Sequence, residues 1–162
     1  MSKISQIESL LLSGARTNKY RVMFSRLGRE IDILCHDVQL PGIEMGIAEV
    51  YIKGRKLKLA GDRGDGAEIT MNFYNEETLG TRNYLIGLMQ KMQNYTQGWA
   101  SQSGDYFFEV KIQQLDHDER VSSQTILHNA FLSSVGDIEY TDETGEVSLT
   151  PLVIQYTDLT VG

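Results

Sequence analysis

Apolar and polar residues alternate along most of this chain with the two-residue period of strands, and helical spacing interrupts that pattern twice. Residues 2–13 read as a short helix: Ile4, Ile7 and Leu11 share one face, Ser5 and Glu8 fit a capping box, and Gly14 can end it. So short a helix is unstable alone and must dock or stay loose. Over 19–27 Tyr20, Val22 and Phe24 alternate. After Gly28, residues 30–35 set Ile31, Ile33 and Cys35 on one face, and the pair predicts a hairpin closed by Pro41-Gly42. Residues 47–52 make a weaker strand and 54–66 read as irregular. Clear alternation resumes at 69–74, with Ile69, Met71 and Phe73 against Thr70, Asn72 and Tyr74.

Asn75 is a good N-cap, and Glu76 and Glu77 suit the first turn of a helix. Leu85, Leu88, Met92 and Tyr95 then recur at helical steps towards Gly98, which predicts one substantial helix of about twenty residues. Gly80 and Gly87 each weaken it by about 1 kcal/mol relative to Ala, so packing on a sheet must hold it. The rest reads as β: 106–115, a polar turn at 116–119, 121–132, then 136–140, a turn at 141–145, and 146–158. In the last segment Val147 and Leu149 set an odd phase while Leu152, Ile154 and Tyr156 set an even one, which predicts a bulge at 150–151. The expected fold class is α+β, mainly antiparallel β: a two-sheet sandwich or open barrel with one packed helix, a short N-terminal helix and a long inter-strand loop. The 162 residues suit one domain, with 1–14 as a helical arm and 42–66 as a protruding loop.

Charge changes this picture along the chain. Net charge is -7. Residues 121–162 contain no Lys or Arg but carry Asp137, Glu139, Asp142, Glu143, Glu146 and Asp158. Five of the 15 basic residues (Lys53, Arg55, Lys56, Lys58 and Arg63) crowd into the 42–66 segment. An acidic balance argues against tight nucleic-acid binding, which depends on phosphate neutralisation. A chain with one basic and one acidic segment can meet a copy of itself; a solvated acidic face is the plainer reading. With Cys35 as the single cysteine, no intrachain disulfide is expected, which suits a reducing cytosol or a particle assembled there. No apolar run has signal-peptide or membrane-span length, so no membrane partner is expected.

Chemistry does not assemble from these residues. Asp62, Asp65 and Glu68 fail the EF-hand pattern because Gly64 and Gly66 hold donor positions. The glycines match neither a dinucleotide nor a P-loop fingerprint, and His36, His117 and His128 lack zinc spacing. Cys35 and His36, adjacent on a strand, face opposite ways and form no nucleophile–base pair. Cys35 reads as a small core residue, Tyr95 and Trp99 as core or interface aromatics, and 116–119 as a solvated turn. No catalytic, cofactor or metal site is expected, and no enzyme.

One order of motifs spans nearly the whole chain. Ser13-Gly14 ends the first helix, Arg16 and Asn18 lead into a strand, and Ile33 and Cys35 lead to Leu40-Pro41. Ala60-Gly61-Asp62-Arg63 then precedes Ile69-Thr70, Asn75-Glu76, Arg82 and Val135-Gly136. This order resembles the tail tube proteins of contractile-tailed bacteriophages, related to the type VI secretion tube family; residues 80–104 look individual to this chain. The resemblance implies a hexameric ring whose inner strands join into one barrel, and rings stacked into the phage tail tube, the conduit for genome delivery inside a contractile sheath. It implies as partners other copies of the chain and the sheath, tape-measure, baseplate and tail-terminator proteins, with DNA passing the lumen without specific binding. It implies a place in the tail of a virion assembled in the host cytoplasm. Candidate inter-subunit or inter-ring contacts are Lys53, Arg55, Lys56, Lys58, Asp62 and Arg63, with Glu139, Asp142, Glu143 and Glu146 as the opposing acids. The 42–66 segment and both termini are expected to be loose in the free subunit and ordered in the tube. The alternatives are a baseplate or tube-initiator protein of the same fold, a type VI-like tube component, and, more distantly, a small-molecule-binding β-barrel.

Overall fold

The computed structural model describes residues 3–12, 14–25, 34–65, 68–92, 107–143 and 145–162. Helix α1 (Lys3–Leu12) is followed by β1 (Tyr20–Phe24), β2 (Cys35–Val38), β3 (Ile43–Ile52), β4 (Arg55–Asp65) and β5 (Glu68–Tyr74). Helix α2 (Gly80–Met92) then precedes β6 (Phe108–Leu115), β7 (Val121–Val135), β8 (Leu149–Gln155) and β9 (Asp158–Val161). Seven strands form one antiparallel sheet in the order β1-β6-β7-β8-β5-β2, with β9 also paired to β7; β3 and β4 form a separate two-stranded sheet. Over the described residues the fold is therefore mainly antiparallel β, with two helices and two sheets.

β7 organises the larger sheet. One edge pairs with β6 from Val121 to Ala130. The other pairs with β9 over Thr125–His128 and with β8 over Phe131–Val135. The change of partner falls at Asn129, whose φ of 52° is left-handed. The β6 register also shifts there, between Phe108 and Val110. The buried set on β7 changes phase with it: Thr125 and Leu127 before, Ala130 and Leu132 after. One residue is inserted, and a bulged strand bends and twists more strongly. The sheet thus curls around a single core that includes Val22, Ile69, Met71, Phe73, Val110, Leu127, Leu152 and Ile154.

The end strands of the curled sheet meet. The Tyr20 hydroxyl donates to the His36 carbonyl at 2.5 Å, joining β1 to β2 by a side chain instead of a ladder. Burial pushes the Tyr20 phenol above its ordinary range, helped by the nearby Cys35, Asp37 and Tyr74. Cys35 lies half-buried against the core.

Four expectations need correction. The predicted hairpin of 19–27 with 30–35 is not the pairing found over the described residues, because β1 pairs with β6 and β2 with β5, at opposite ends of the sheet. Residues 26–33 lie outside the described set. No bulge occurs at 150–151: the β5 ladder runs unbroken through Asn72↔Pro151 and Phe73↔Thr150, and Thr150 is buried in phase with Leu152 and Ile154. Val147 and Leu149 are exposed, so their odd phase carried no core information. Third, the helix starts at Gly80, because Asn75 is committed to the sheet. The Asn75 side-chain nitrogen Nδ2 donates to Ser148 Oγ (2.9 Å), and its side-chain oxygen accepts from Thr150 Oγ1 (2.7 Å). Glu76 takes over the capping, accepting from the Thr81 amide and hydroxyl. Leu85 is fully buried beneath the helix, with Leu88 and Met89 beside it; Tyr95 and Trp99 fall outside the described residues. Fourth, the described part of 136–148 contains no strand.

Gly136 closes the corner after β7. Its amide donates to the Pro151 carbonyl at 2.7 Å, and a Cβ there would stand 2.3 Å from Pro151 Cγ. Gly136→Ala is expected to cost about 1–3 kcal/mol through this overpacking, read as a lower urea midpoint with unchanged slope. Gly145→Ala, with nothing within 4 Å, serves as the control. Tyr20→Phe should cost about 1 kcal/mol at neutral pH, the net worth of one hydrogen bond. A phenol whose folded pKa is raised contributes stability below its unfolded pKa and loses it as pH rises through the folded value. The gap between wild type and Tyr20→Phe should therefore narrow above about pH 10, as measured by denaturation at several pH values.

Candidate assembly surface

The 42–66 segment is a projecting β-hairpin and not an irregular loop. Every residue of β3 is exposed. Lys53 (φ 48°) and Gly54 (φ 76°) form the two-residue turn, both left-handed, which matches the twist of the flanking strands. Glycine-rich spacing hid the second strand from sequence reading, although Leu57 and Leu59 alternate with Lys56 and Lys58. Gly46 and Gly61 have a local reason. The register shifts between Met45 and Ile47, and a Cβ on Gly61 would lie 3.0 Å from the Gly46 backbone. Only glycine lets the strands approach so closely at this bulge.

Register divides the outer part of the arm into two unlike faces. Residues opposite each other share a face. Ala48↔Leu59, Val50↔Leu57 and Ile52↔Arg55 give one apolar face edged by a single cation. Ile47↔Ala60, Glu49↔Lys58 and Tyr51↔Lys56 give the other, which carries the charge. On it Lys56 Nζ lies 2.7 Å from Glu49 Oε2 and 5.9 Å from the Tyr51 ring centre. Both partners of this ion pair are about two-fifths exposed, so it is worth about 0–1 kcal/mol.

The candidate residues thus separate. Lys56 and Lys58 share the charged face, Arg55 sits on the apolar face, and Lys53 caps the tip. Asp62 is exposed beside the glycine bulge, and Arg63 lies opposite Met45 in the ladder, its side chain outside the description. Glu139, Asp142, Glu143 and Glu146 are all exposed on the segment between β7 and β8. Among the described residues no ion pair joins these acids to the arm of the same chain.

Sequence reading weighed the arm's cations and missed its hydrophobic face. Val50, Ile52, Leu57 and Leu59 are 38%, 51%, 45% and 54% exposed. The signal was present as alternation across the Lys-Gly turn. α1 has the same character, with no buried residue along its length. Its tether and the arm's base converge at the β1–β2 seam, where Thr17, Asn18, Tyr20, His36 and Leu40 line an open cleft of about 480 Å³. Among the described residues, no group of three or more His, Cys, Asp or Glu could hold a metal. No described helix is long and apolar enough to cross a membrane.

No protein-family model matches the sequence, and no curated protein matches it. Solved structures do match the fold. The chain is similar to one from the tube-terminating cap of the anti-feeding prophage (AFP), with a TM-score of 0.71 and 16% identity over 92% of this chain and 91% of that one. It is similar to one from the PVC extracellular contractile injection system, a sheath–tube complex in the extended state. There the TM-score is 0.67 and the identity 12%, over 100% of this chain and 99% of that one. A chain of the AFP baseplate gives 0.67 and 13%, over 93% and 96%. The chain therefore has the fold of the tube proteins of contractile injection systems, the fold that the order of its motifs implied.

Proposed function

We propose that this chain is a structural subunit that closes into hexameric rings, and that the rings stack into the tail tube of a contractile phage particle, the conduit for genome delivery. The observation that carries this reading is the arm. A two-stranded ribbon is marginal by itself, and this one projects with β3 exposed along its whole length, on a fold shared with a sheath–tube complex over the full chain. In the proposed stack, Lys53, Arg55, Lys56, Lys58, Asp62 and Arg63 meet Glu139, Asp142, Glu143 and Glu146 of a neighbouring subunit. Each rim pair contributes about 0–1 kcal/mol, so the pairs set register more than affinity. A net charge of -7 suits a wall along which DNA slides without being held. Sheath, tape-measure, baseplate and terminator proteins are the further partners of such a tube, in a virion tail assembled in the host cytoplasm. Its work is assembly and not catalysis.

The likeness to an AFP cap chain supports a second reading, a ring that ends a tube and does not propagate it. Negative-stain microscopy of the purified protein separates the two: tubes are expected, and isolated rings alone would favour the cap. Arg55→Glu with Lys58→Glu reverses charge on both faces of the arm. Soluble protein without tubes is expected, and normal tubes would remove the charged arm from the stacking contact. Hydrogen exchange should find the β3 and β4 amides fast in the free subunit and slow in tubes. Equal rates in both states would place the arm outside any interface.

A further inference from the structure

α1 and the arm are complementary surfaces. At 100° per residue, Ile4, Ile7, Leu10 and Leu11 fall within about a third of the α1 circumference, and they are 69%, 54%, 71% and 68% exposed. A ten-residue helix is about 15 Å long and about 10 Å across. The arm's apolar face runs from Ala48 to Ile52, about 13 Å, across two strands about 5 Å apart. One helix covers such a face. Glu8 borders the helical stripe and Arg55 borders the arm's face, so one opposite charge stands on each side.

In the structure α1 does not cover the arm of its own chain: no residue of the helix is buried and every residue of β3 is exposed. The side-chain amide of Gln114 donates to the carbonyls of Arg16 (3.0 Å) and Lys19 (2.8 Å). The Lys19 amide donates to the Arg16 carbonyl at 3.1 Å. The tether is thus pinned to β6 from Arg16 onward, which leaves Gly14 and Ala15 as the joint that aims α1.

We propose that α1 of one copy lies across the apolar β3–β4 face of a neighbouring copy, packing Ile4, Ile7, Leu10 and Leu11 on Val50, Ile52, Leu57 and Leu59. This deepens the tube reading and rests on it. The arm then uses both faces, the apolar one for a helix and the charged one for the acidic segment.

The test is a disulfide. Ile7→Cys and Val50→Cys are placed together in a Cys35→Ala background, and the protein is assembled, oxidised and run on a non-reducing denaturing gel. A ladder of covalent multimers that needs both new cysteines is expected. A disulfide within one chain, identified by peptide mass, overturns the proposal, and so does no disulfide in tubes that look normal. If the wild-type protein forms neither tubes nor rings, the assembly reading falls and this docking falls with it. Ile7→Asp with Leu10→Asp gives a second readout. Both positions are exposed, so the melting curve of the free subunit should not move, while tube yield should drop at least tenfold. Undiminished tubes would overturn the docking and leave the assembly reading standing.

Discussion

One strand, β7, carries the connectivity of the larger sheet. It is the longest strand, and three others pair with it: β6 along one edge, β9 and β8 in succession along the other. A straight strand of 15 residues would hold one flat sheet. The left-handed Asn129 prevents this by inserting a residue and turning the strand. The two halves of β7 then serve the two walls of one core, and Leu127 and Leu132 point into it despite their different phases. That curl brings β1 and β2, far apart in strand order, close enough for the Tyr20–His36 bond. The seam in turn fixes where α1 and the arm leave the body. What projects outward therefore depends on a bend in the middle of the sheet.

The sequence displayed the strands far better than their partners. Ile69, Met71 and Phe73 alternate without interruption and are all buried, because a half-buried strand writes its inner face as a period of two. Partner choice leaves no such trace. The hairpin expected across Gly28 looked natural because close segments usually pair, yet β1 and β2 end on opposite edges. The expected bulge was set by Val147 and Leu149, which are surface residues. The phase change that does bend the sheet, Leu127 to Ala130, was equally visible but lay within a segment read as one straight strand. Asn75 shows another limit. It is a good cap by type, but Ser148 and Thr150, over 70 positions later, claim its side chain.

The arm was read from its charge, and its shape went unnoticed. Glycines at 42, 46, 54, 61, 64 and 66 suggested irregular chain. Two of them, Gly46 and Gly61, instead allow a close crossing inside a regular ribbon, and Gly54 completes its turn. The ten candidate contact residues were chosen as cations and acids. Register then divides the cations between faces, which composition cannot do. The acids lie exposed on a segment that is not the strand and hairpin expected of it.

Magnitudes separate what the two faces of the arm could contribute to the proposed contact. Fully burying an exposed Val, Leu or Ile contributes about 1.5–3 kcal/mol. The four side chains on the apolar face are already about half covered, so together they retain a few kcal/mol. Exposed ion pairs contribute about 0–1 kcal/mol each and weaken with salt. In the proposed assembly, affinity would therefore come from apolar side chains such as Val50, Ile52, Leu57 and Leu59, while Lys56 and Lys58 would choose the orientation. A projecting apolar ribbon is also a liability, since bare hydrophobic strands recruit wrong partners. The lysines on its reverse face, the cation at its edge and the bend at Gly46 and Gly61 all oppose flat edge-to-edge stacking. In the proposed assembly, the charges that would orient a neighbour are thus also those that oppose wrong pairing of the free arm.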